Sequence, residues 1–193
     1  VEVPFEYHGA YAGDDAAGPP SGLPPITKEE VSRGMAKVTP NPETNKLEVE
    51  LKPLWEMTTT PSRVAPGHGA CPGCGFFPML RQAYNVLEGH VVVLFQTGCA
   101  MVTTTGYPKT AHRITYIHNL FQNGAATLSG LVEAYHERVR RGEIPAAPEG
   151  EDITFIMVTG DGGMDIGMGA ALGTANRNHK MIILEYDNQG YMN

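Results

Sequence analysis

A chain of 193 residues, 41% of them hydrophobic, is long enough for one α/β domain with a buried core and leaves little room for two. Its net charge of −7 argues against a general binder of nucleic acid or anionic membranes, because such proteins need clustered Lys and Arg. No apolar run reaches the ~18 residues of a membrane span, and no signal-like segment opens the chain. Three cysteines without a signal favour a reducing, cytoplasmic compartment with free or metal-bound thiols.

Residues 1–67 differ in composition from the rest, with Pro and Gly clusters at "GPPSGLPP", "TPNPET" and "VAPGHG". We expect an extended arm here. It contains a short helix at "TKEEVSRGMAKV", where Thr27 and Glu30 have capping-box spacing, and an edge strand at "KLEVELK", where polar and apolar residues alternate. Residues 68–193 are expected to form the functional domain.

From Cys71 onward, segments typical of helices and strands alternate. "FFPMLRQAYNVL" predicts a helix with one apolar face, and "NGAATLSGLVEAYHERVRRG" predicts another that Asn123 caps and that Leu131 helps to bury. Strands are predicted at "HVVVLFQ", "RITYIHN", "DITFIMVTG" and "KMIILEYDN", with a small-residue helix at "GMDIGMGAALGTANRN" that packs through Met164 and Met168. This order predicts an α/β fold with a parallel sheet covered by helices on both faces, in which ligands bind at the carboxyl ends of strands.

Two of those strand ends carry the sharpest chemical signal. "TGDGGMD" follows the third predicted strand and "YDNQG" follows the fourth. Glycines let backbone amides approach a diphosphate closely, while the next helix directs its positive end at the anion. A carboxylate and an amide oxygen from adjacent strand ends suit a hard cation. We therefore expect Asp161 and Asn188 to be side-chain ligands of Mg²⁺, with the carbonyl of Gly190 completing the set.

The three cysteines allow several kinds of site. Cys71 and Cys74 form a CxxC pair just before a predicted helix, and Cys99 follows the first strand of the sheet. A CxxC pair can ligate two irons of one iron–sulfur cluster, and Cys99 would lie at the same sheet edge as Asp161. A zinc site with His68 as fourth ligand, a thioredoxin-like redox pair and, for Cys99, a buried core thiol are the alternatives.

The combination of motifs resembles a known family. "GDG", then twenty-five residues, then Asn188 is similar to the thiamine-diphosphate-binding motif. With "CPGCG" and "TGCA" before it, residues 68–193 resemble the β subunit of the 2-oxoacid:ferredoxin oxidoreductases, the pyruvate:ferredoxin oxidoreductase family. The resemblance implies the diphosphate-binding half of the thiamine-diphosphate fold, bound Mg²⁺, and a [4Fe-4S] cluster on Cys71, Cys74 and Cys99. The implied cofactor contacts are Gly98, Cys99, Gly160, Asp161, Gly162, Gly163 and Asn188.

The resemblance also implies a reaction and partners. A 2-oxoacid would be decarboxylated oxidatively, coenzyme A would take the acyl group, and electrons would leave through the cluster to ferredoxin. Asn193 would face the thiazolium ring and the substrate. Another subunit would supply the pyrimidine-binding domain with its glutamate, and the fourth cluster ligand would lie beyond residue 193, in the rest of a longer or split subunit.

Two other functions stay open at this point. A thiamine-dependent non-redox lyase would share the GDG motif but would need no cysteines at these positions. A zinc-stapled, non-catalytic assembly subunit would use the same turn structurally. His112, Arg113, His118 and Asn119 flank the second strand, near which heteromeric family members carry a substrate-binding His or Arg; a structural role is the commoner case for such residues.

Overall fold

The computed structural model describes residues 36–41, 46–51, 53, 61–87, 89–106, 110–147 and 153–190. The chain divides into two compact units, Val1–Pro61 and Ser62–Asn193. In the first unit, β1 (Ala36–Asn41) and β2 (Lys46–Leu51) form an antiparallel pair. The strand predicted at "KLEVELK" is confirmed. The helix predicted over 27–38 is wrong at its last three residues, which pair with β2 instead, and its other residues lie outside the described part.

The second unit contains a sheet of four strands, β3 (Val91–Gln96), β4 (Thr115–Asn119), β5 (Thr154–Gly160) and β6 (Ile182–Tyr186). The sheet is wholly parallel, with the strand order β4-β3-β5-β6. The helices described with them are α1 (Phe76–Val86), α2 (Cys99–Thr104), α3 (Gly124–Arg140), α4 (Asp161–Ile166) and α5 (Met168–Asn176). The predicted α/β fold with a parallel sheet is confirmed.

Successive side chains of a strand point to opposite faces of the sheet, so the apolar strands of this sheet present apolar side chains on both faces. Helices cover both of these faces. On one face, Val93 and Phe95 of β3 pack with Leu80 and Tyr84 of α1. On the other, Leu94 and Met157 pack with Leu128 of α3. Burial of each such side chain contributes about 1.5–3 kcal/mol relative to exposure. With both faces covered, the strand ends are left to carry ligands.

The segment before residue 68 belongs to the second unit from Ser62 onward. Val64 bridges to His112 in antiparallel fashion, the Ala65 N–H donates to the Ala111 carbonyl at 2.7 Å, and the Arg113 N–H donates to the Arg63 carbonyl at 2.9 Å. These backbone bonds join residues 62–67 to the sheet domain, although their Pro and Gly content is typical of a linker.

The small-residue helix after β5 is two helices rather than the single one predicted over 163–178. α4 begins earlier, at Asp161, and Gly167 separates it from α5. A Cβ on Gly167 would lie 3.0 Å from the Gly163 carbonyl oxygen and 3.2 Å from that of Gln122. This close approach of backbone explains why the break falls at a glycine.

Three details of the helix predictions are wrong. Asn123 occupies the position before α3, but its side chain makes no capping hydrogen bond, because its backbone (φ −100°, ψ −7°) is near-helical rather than extended. Leu131 and Met168 were expected to be buried and are 36% and 47% exposed. Each lies on the outer side of its helix. Among the described residues, no helix combines the length and apolar character needed to cross a membrane.

Candidate functional site at the carboxyl edge of the sheet

The carboxyl ends of β3, β5 and β6 lie side by side, since these strands are adjacent and parallel. Cys99 follows β3, Asp161 follows β5 and Asn188 follows β6. They border a cavity of about 240 Å³ at this edge. The structure thus brings together, around one cavity, every glycine, carboxylate and amide predicted to contact the diphosphate or Mg²⁺: Gly98, Gly160, Asp161, Gly162, Gly163, Asn188 and Gly190.

Three oxygens converge on one side of this cavity. In one orientation of the Asn188 amide, Oδ1 faces only acceptors, the Gly190 carbonyl oxygen at 3.1 Å and Asp161 Oδ1 at 3.3 Å. Ligands at about 2.1 Å from Mg²⁺ and at right angles are themselves about 3.0 Å apart, so these separations match neighbouring positions of an octahedral shell. A carboxylate, an amide and a carbonyl oxygen are also the ligand types that Mg²⁺ accepts. The residues present therefore fit the cation.

Two glycines at the junction of β5 and α4 pack closely against other side chains. A Cβ on Gly163 would lie 2.6 Å from Thr159 Oγ1, and one on Gly160 would lie 3.2 Å from the Tyr186 ring. Glycine is therefore favoured at both positions by packing, and both line the cavity without a side chain of their own. Asp161 stands in the first turn of α4, where a carboxylate interacts favourably with the helix dipole.

The CxxC loop is tied to the same region. The Gly69 N–H donates to the Thr103 carbonyl in the last turn of α2, at 2.8 Å, and α2 begins at Cys99. Within the loop, the Cys74 N–H donates to the Cys71 carbonyl at 3.1 Å. Cys71 and Cys74 are exposed and Cys99 is half-buried, all with free thiols. The segment just before the CxxC pair is thus bonded to the helix that carries Cys99.

In the described part of the chain, these cysteines do not form a binding site for a single metal ion. Among the residues described, no group of three or more His, Cys, Asp or Glu could hold one ion. His68, the fourth ligand of the zinc alternative, stacks on Phe77 with ring centroids 3.7 Å apart and accepts the Ala70 N–H at Nδ1. Thiolates of an iron–sulfur cluster bind different irons and need not converge on one ion. The cluster ligands stay a prediction.

Tyr186 is a site residue that the sequence patterns do not single out. Its position opposite Gly160 in the β5–β6 register places its ring over that glycine. The hydroxyl accepts the Ala100 N–H at 3.1 Å. A Cβ on Gly98 would lie only 2.5 Å from the hydroxyl oxygen. Tyr186 therefore fills the space that two glycines leave open, and from the end of β6 it contacts the carboxyl ends of β3 and β5.

Tyr186 interacts electrostatically with both parts of the site, the cysteines and the Asp161 carboxylate. Burial raises the pKa of its phenol above the usual 10, and electrostatic interactions with Cys99, Asp161 and Cys74 raise it further. The hydrogen bond from Ala100 acts in the opposite direction. The phenol consequently stays protonated and lies close to both the cysteines and the carboxylate of the proposed cation site.

Gln96 is a second residue that the sequence patterns miss. It is buried at the end of β3, and three glycines pack against it: Gly124, Gly163 and Gly167. A Cβ on Gly163 would come within 3.1 Å of Gln96 Oε1, and one on Gly167 within 3.3 Å of Nε2. Gln96 thus packs between β3, the start of α3 and both ends of the segment Gly163–Gly167 in and after α4. The sequence signal that could have indicated Gln96 is the recurrence of glycine at or near the starts of α3, α4 and α5.

The other polar candidates divide between core and edge. His112 lies in the core, stacked on Tyr116 at 4.7 Å, and burial lowers its pKa to about 4. His118 lies at the carboxyl edge, where its Nε2 is 3.1 Å from the hydroxyl of Thr97, a residue that lines the cavity. Asn193, predicted to face the substrate, lies outside the described residues.

These features define an α/β protein with a ligand site at the carboxyl edge of a parallel sheet. No protein-family model matches the chain. It is 42% identical over 135 residues to pyruvate synthase subunit PorB of Thermotoga maritima, which covers 67% of this chain and 40% of that protein. It is 41% identical over 131 residues to PorB of Methanothermobacter thermautotrophicus, covering 67% and 42%.

A further relative is the ketoisovalerate oxidoreductase subunit VorB of Pyrococcus abyssi, 30% identical over 129 residues, with 66% of this chain and 40% of that protein covered. The chain belongs to the β-subunit family of the 2-oxoacid:ferredoxin oxidoreductases, as its motifs predicted. It spans about two fifths of the length of these relatives.

Proposed function

We propose that this chain is part of a 2-oxoacid:ferredoxin oxidoreductase subunit that uses thiamine diphosphate, Mg²⁺ and a [4Fe-4S] cluster for oxidative decarboxylation. PorB relatives share 30–42% identity with the chain and VorB shares 30%, so the proposed substrate is a 2-oxoacid, with pyruvate and a branched 2-oxoacid as the candidates. Coenzyme A is the proposed acyl acceptor and ferredoxin the proposed electron acceptor. A partner subunit supplies the pyrimidine-binding domain and its glutamate, and the complex works in the cytoplasm.

The convergence of Asp161, Asn188 and Gly190 oxygens carries this proposal. In the proposed role, these oxygens would hold Mg²⁺, which would supply positive charge for the diphosphate. Gly160, Gly162 and Gly163, which line the same cavity, would offer backbone to the diphosphate. Asp161 follows β5, and Asn188 and Gly190 follow the adjacent β6, so the parallel pairing of these two strands sets the spacing of the site.

Thiamine diphosphate, when bound, supplies a carbon nucleophile for the keto group and an electron sink for the decarboxylation. Residues of this chain would hold the cofactor, and its cysteines would bind the cluster that accepts the electrons. Cys99 Sγ lies 3.7 Å from Asn188 Nδ2, so a cluster ligand adjoins a ligand of the cofactor's metal. Gly69, two residues before Cys71, bonds to Thr103 of the helix that begins at Cys99. A cluster on these cysteines would adjoin the proposed cation site and would accept the electrons released by the decarboxylation.

The test is the cofactor content of the complex purified without oxygen. We expect a brown protein with about four irons per chain, as a [4Fe-4S] cluster requires, and bound thiamine diphosphate. Asp161→Asn removes one charge from the cation site, so thiamine diphosphate affinity should fall about tenfold or more. Asp165→Asn, one helical turn away and exposed, is the matched control and should retain the cofactor.

Two results contradict the proposal in different ways. A colourless, iron-free complex that binds thiamine diphosphate identifies a non-redox lyase instead. Unchanged thiamine diphosphate affinity in Asp161→Asn rules out the cation site as assigned.

A further inference from the structure

The side-chain amide of Asn188 touches two sites at once. On one side lie the Gly190 carbonyl oxygen and the Asp161 carboxylate, and on the other lies Cys99 Sγ. A half-turn about the last side-chain bond exchanges the amide oxygen and nitrogen. In one orientation Nδ2 donates to Cys99 Sγ at 3.7 Å. In the other it donates to the Gly190 oxygen at 3.1 Å and to Asp161 Oδ1 at 3.3 Å.

A cation on the oxygens selects between these orientations. Mg²⁺ binds an oxygen and repels an N–H group, so Oδ1 must face Asp161 when the cation is present. Nδ2 is then directed at Cys99. Without the cation, Nδ2 gains two oxygen acceptors by turning toward Asp161, and the amide oxygen, which cannot donate, faces the sulfur.

The surroundings allow the amide to turn while the loop stays in place. Asn188 is exposed, so packing does not hold its amide in either orientation. The loop around it is fixed by the Gln189 N–H, which donates to Asp187 Oδ1 at 2.7 Å, with Gln189 at φ 57°. The choice between orientations therefore depends on what the amide faces.

We propose that Asn188 is a positioning residue that couples occupancy of the cation site to a hydrogen bond on the sulfur of Cys99. The inference rests on the proposed function, since it requires a cation on Asp161 and a cluster on Cys99. N–H donors to cluster sulfurs stabilise the reduced cluster, so cation binding favours electron uptake at the cluster. By reciprocity, a reduced cluster strengthens cation binding.

The test is electron–nuclear double resonance on the reduced cluster of the purified complex, in H₂O and in D₂O, with Mg²⁺ and after its removal by a chelator. We expect one exchangeable proton coupling in the Mg²⁺-bound complex that disappears when the cation is removed. Asn188→Asp keeps an oxygen for the cation but has no N–H, so the coupling should be absent with and without Mg²⁺. Asn176→Asp, at the exposed end of α5, is the matched control and should behave as the unmodified protein.

A coupling that is unchanged on removal of Mg²⁺, or that persists in Asn188→Asp, overturns the inference. The comparison with and without Mg²⁺ uses the unmodified protein, so it decides the question even if the variant binds cofactors poorly. A complex without a [4Fe-4S] signal overturns the proposed function and this inference together. Normal iron and thiamine diphosphate contents with an unresponsive coupling overturn the inference alone.

Discussion

The contact between Gly98 and Tyr186 gives a prediction that two substitutions test together. Gly98→Ala places a Cβ 2.5 Å from the Tyr186 hydroxyl oxygen. The φ of Gly98 is 169°, an extended value that alanine adopts without strain, so the clash with the hydroxyl is the only obstacle. Tyr186→Phe removes that oxygen, and the nearest remaining atoms, Tyr186 Cζ and the Gln96 carbonyl oxygen, lie 3.8 and 3.9 Å from the new Cβ.

The expected free energies follow from these distances. Overpacking at 2.5 Å costs about 1–3 kcal/mol, because the ring is held on Gly160 and cannot move aside. Tyr186→Phe alone costs about 1 kcal/mol, the hydrogen bond from the Ala100 N–H. In the double variant the clash is absent, so its destabilisation should be close to that of Tyr186→Phe alone. The coupling free energy is then about 1–3 kcal/mol in favour of the pair.

The assay is thermal unfolding of the four proteins, with about 2–4 °C expected for each kcal/mol. Gly130→Ala is the control, since a Cβ there meets nothing within 4 Å and lies in α3, where alanine favours the helix. Additive losses in the double variant refute the reasoning, because they show that the Tyr186 hydroxyl does not require glycine at position 98.

Two further predictions concern stability. Burial lowers the pKa of His112 from 6.5 to about 4. The neutral, buried ring therefore contributes its full share to the free energy of unfolding above pH ~6.5. This share, up to about 3 kcal/mol, is lost as the pH falls toward 4. His112→Phe keeps a ring beside Tyr116, and denaturation at several pH values should show a flatter acid limb; an equally steep limb excludes His112 as the cause. Gly124→Ala brings a Cβ into Gln96, so the free energy of unfolding should fall by about 1–3 kcal/mol in denaturant titrations, whereas Gly130→Ala should not lower it. Equal effects of the two glycine variants contradict the packing argument.

The fold and most of the site could be predicted from local patterns. Short apolar runs predicted the four strands of the sheet, because strands buried on both faces are apolar at nearly every position. Asp161 and Asn188 could be assigned to one site because parallel strands end at the same edge. Helix boundaries were less predictable. The break at Gly167 depends on a carbonyl of Gln122, which is distant in sequence and close only in the folded chain.

The residues that join the halves of the site could not be predicted in this way. Tyr186 looks like an ordinary strand residue and Gln96 like the polar end of a strand. Their roles arise from glycines on other strands and helices, which leave space that these side chains fill. His112, a candidate for substrate binding by its position in the chain, is buried with its ring against Phe95 and Tyr116.

The sequence by itself determined the family and the residue types of the candidate site: the glycine turn, the carboxylate and amide, and three cysteines at characteristic spacings. Those properties reside in residue types and short segments, so they can be recognised without coordinates. Only the tertiary structure decided which atoms face one another. The Asn188 amide lies between the oxygens of Asp161 and Gly190 and the sulfur of Cys99 because three strand ends meet in space, and no local pattern records that meeting.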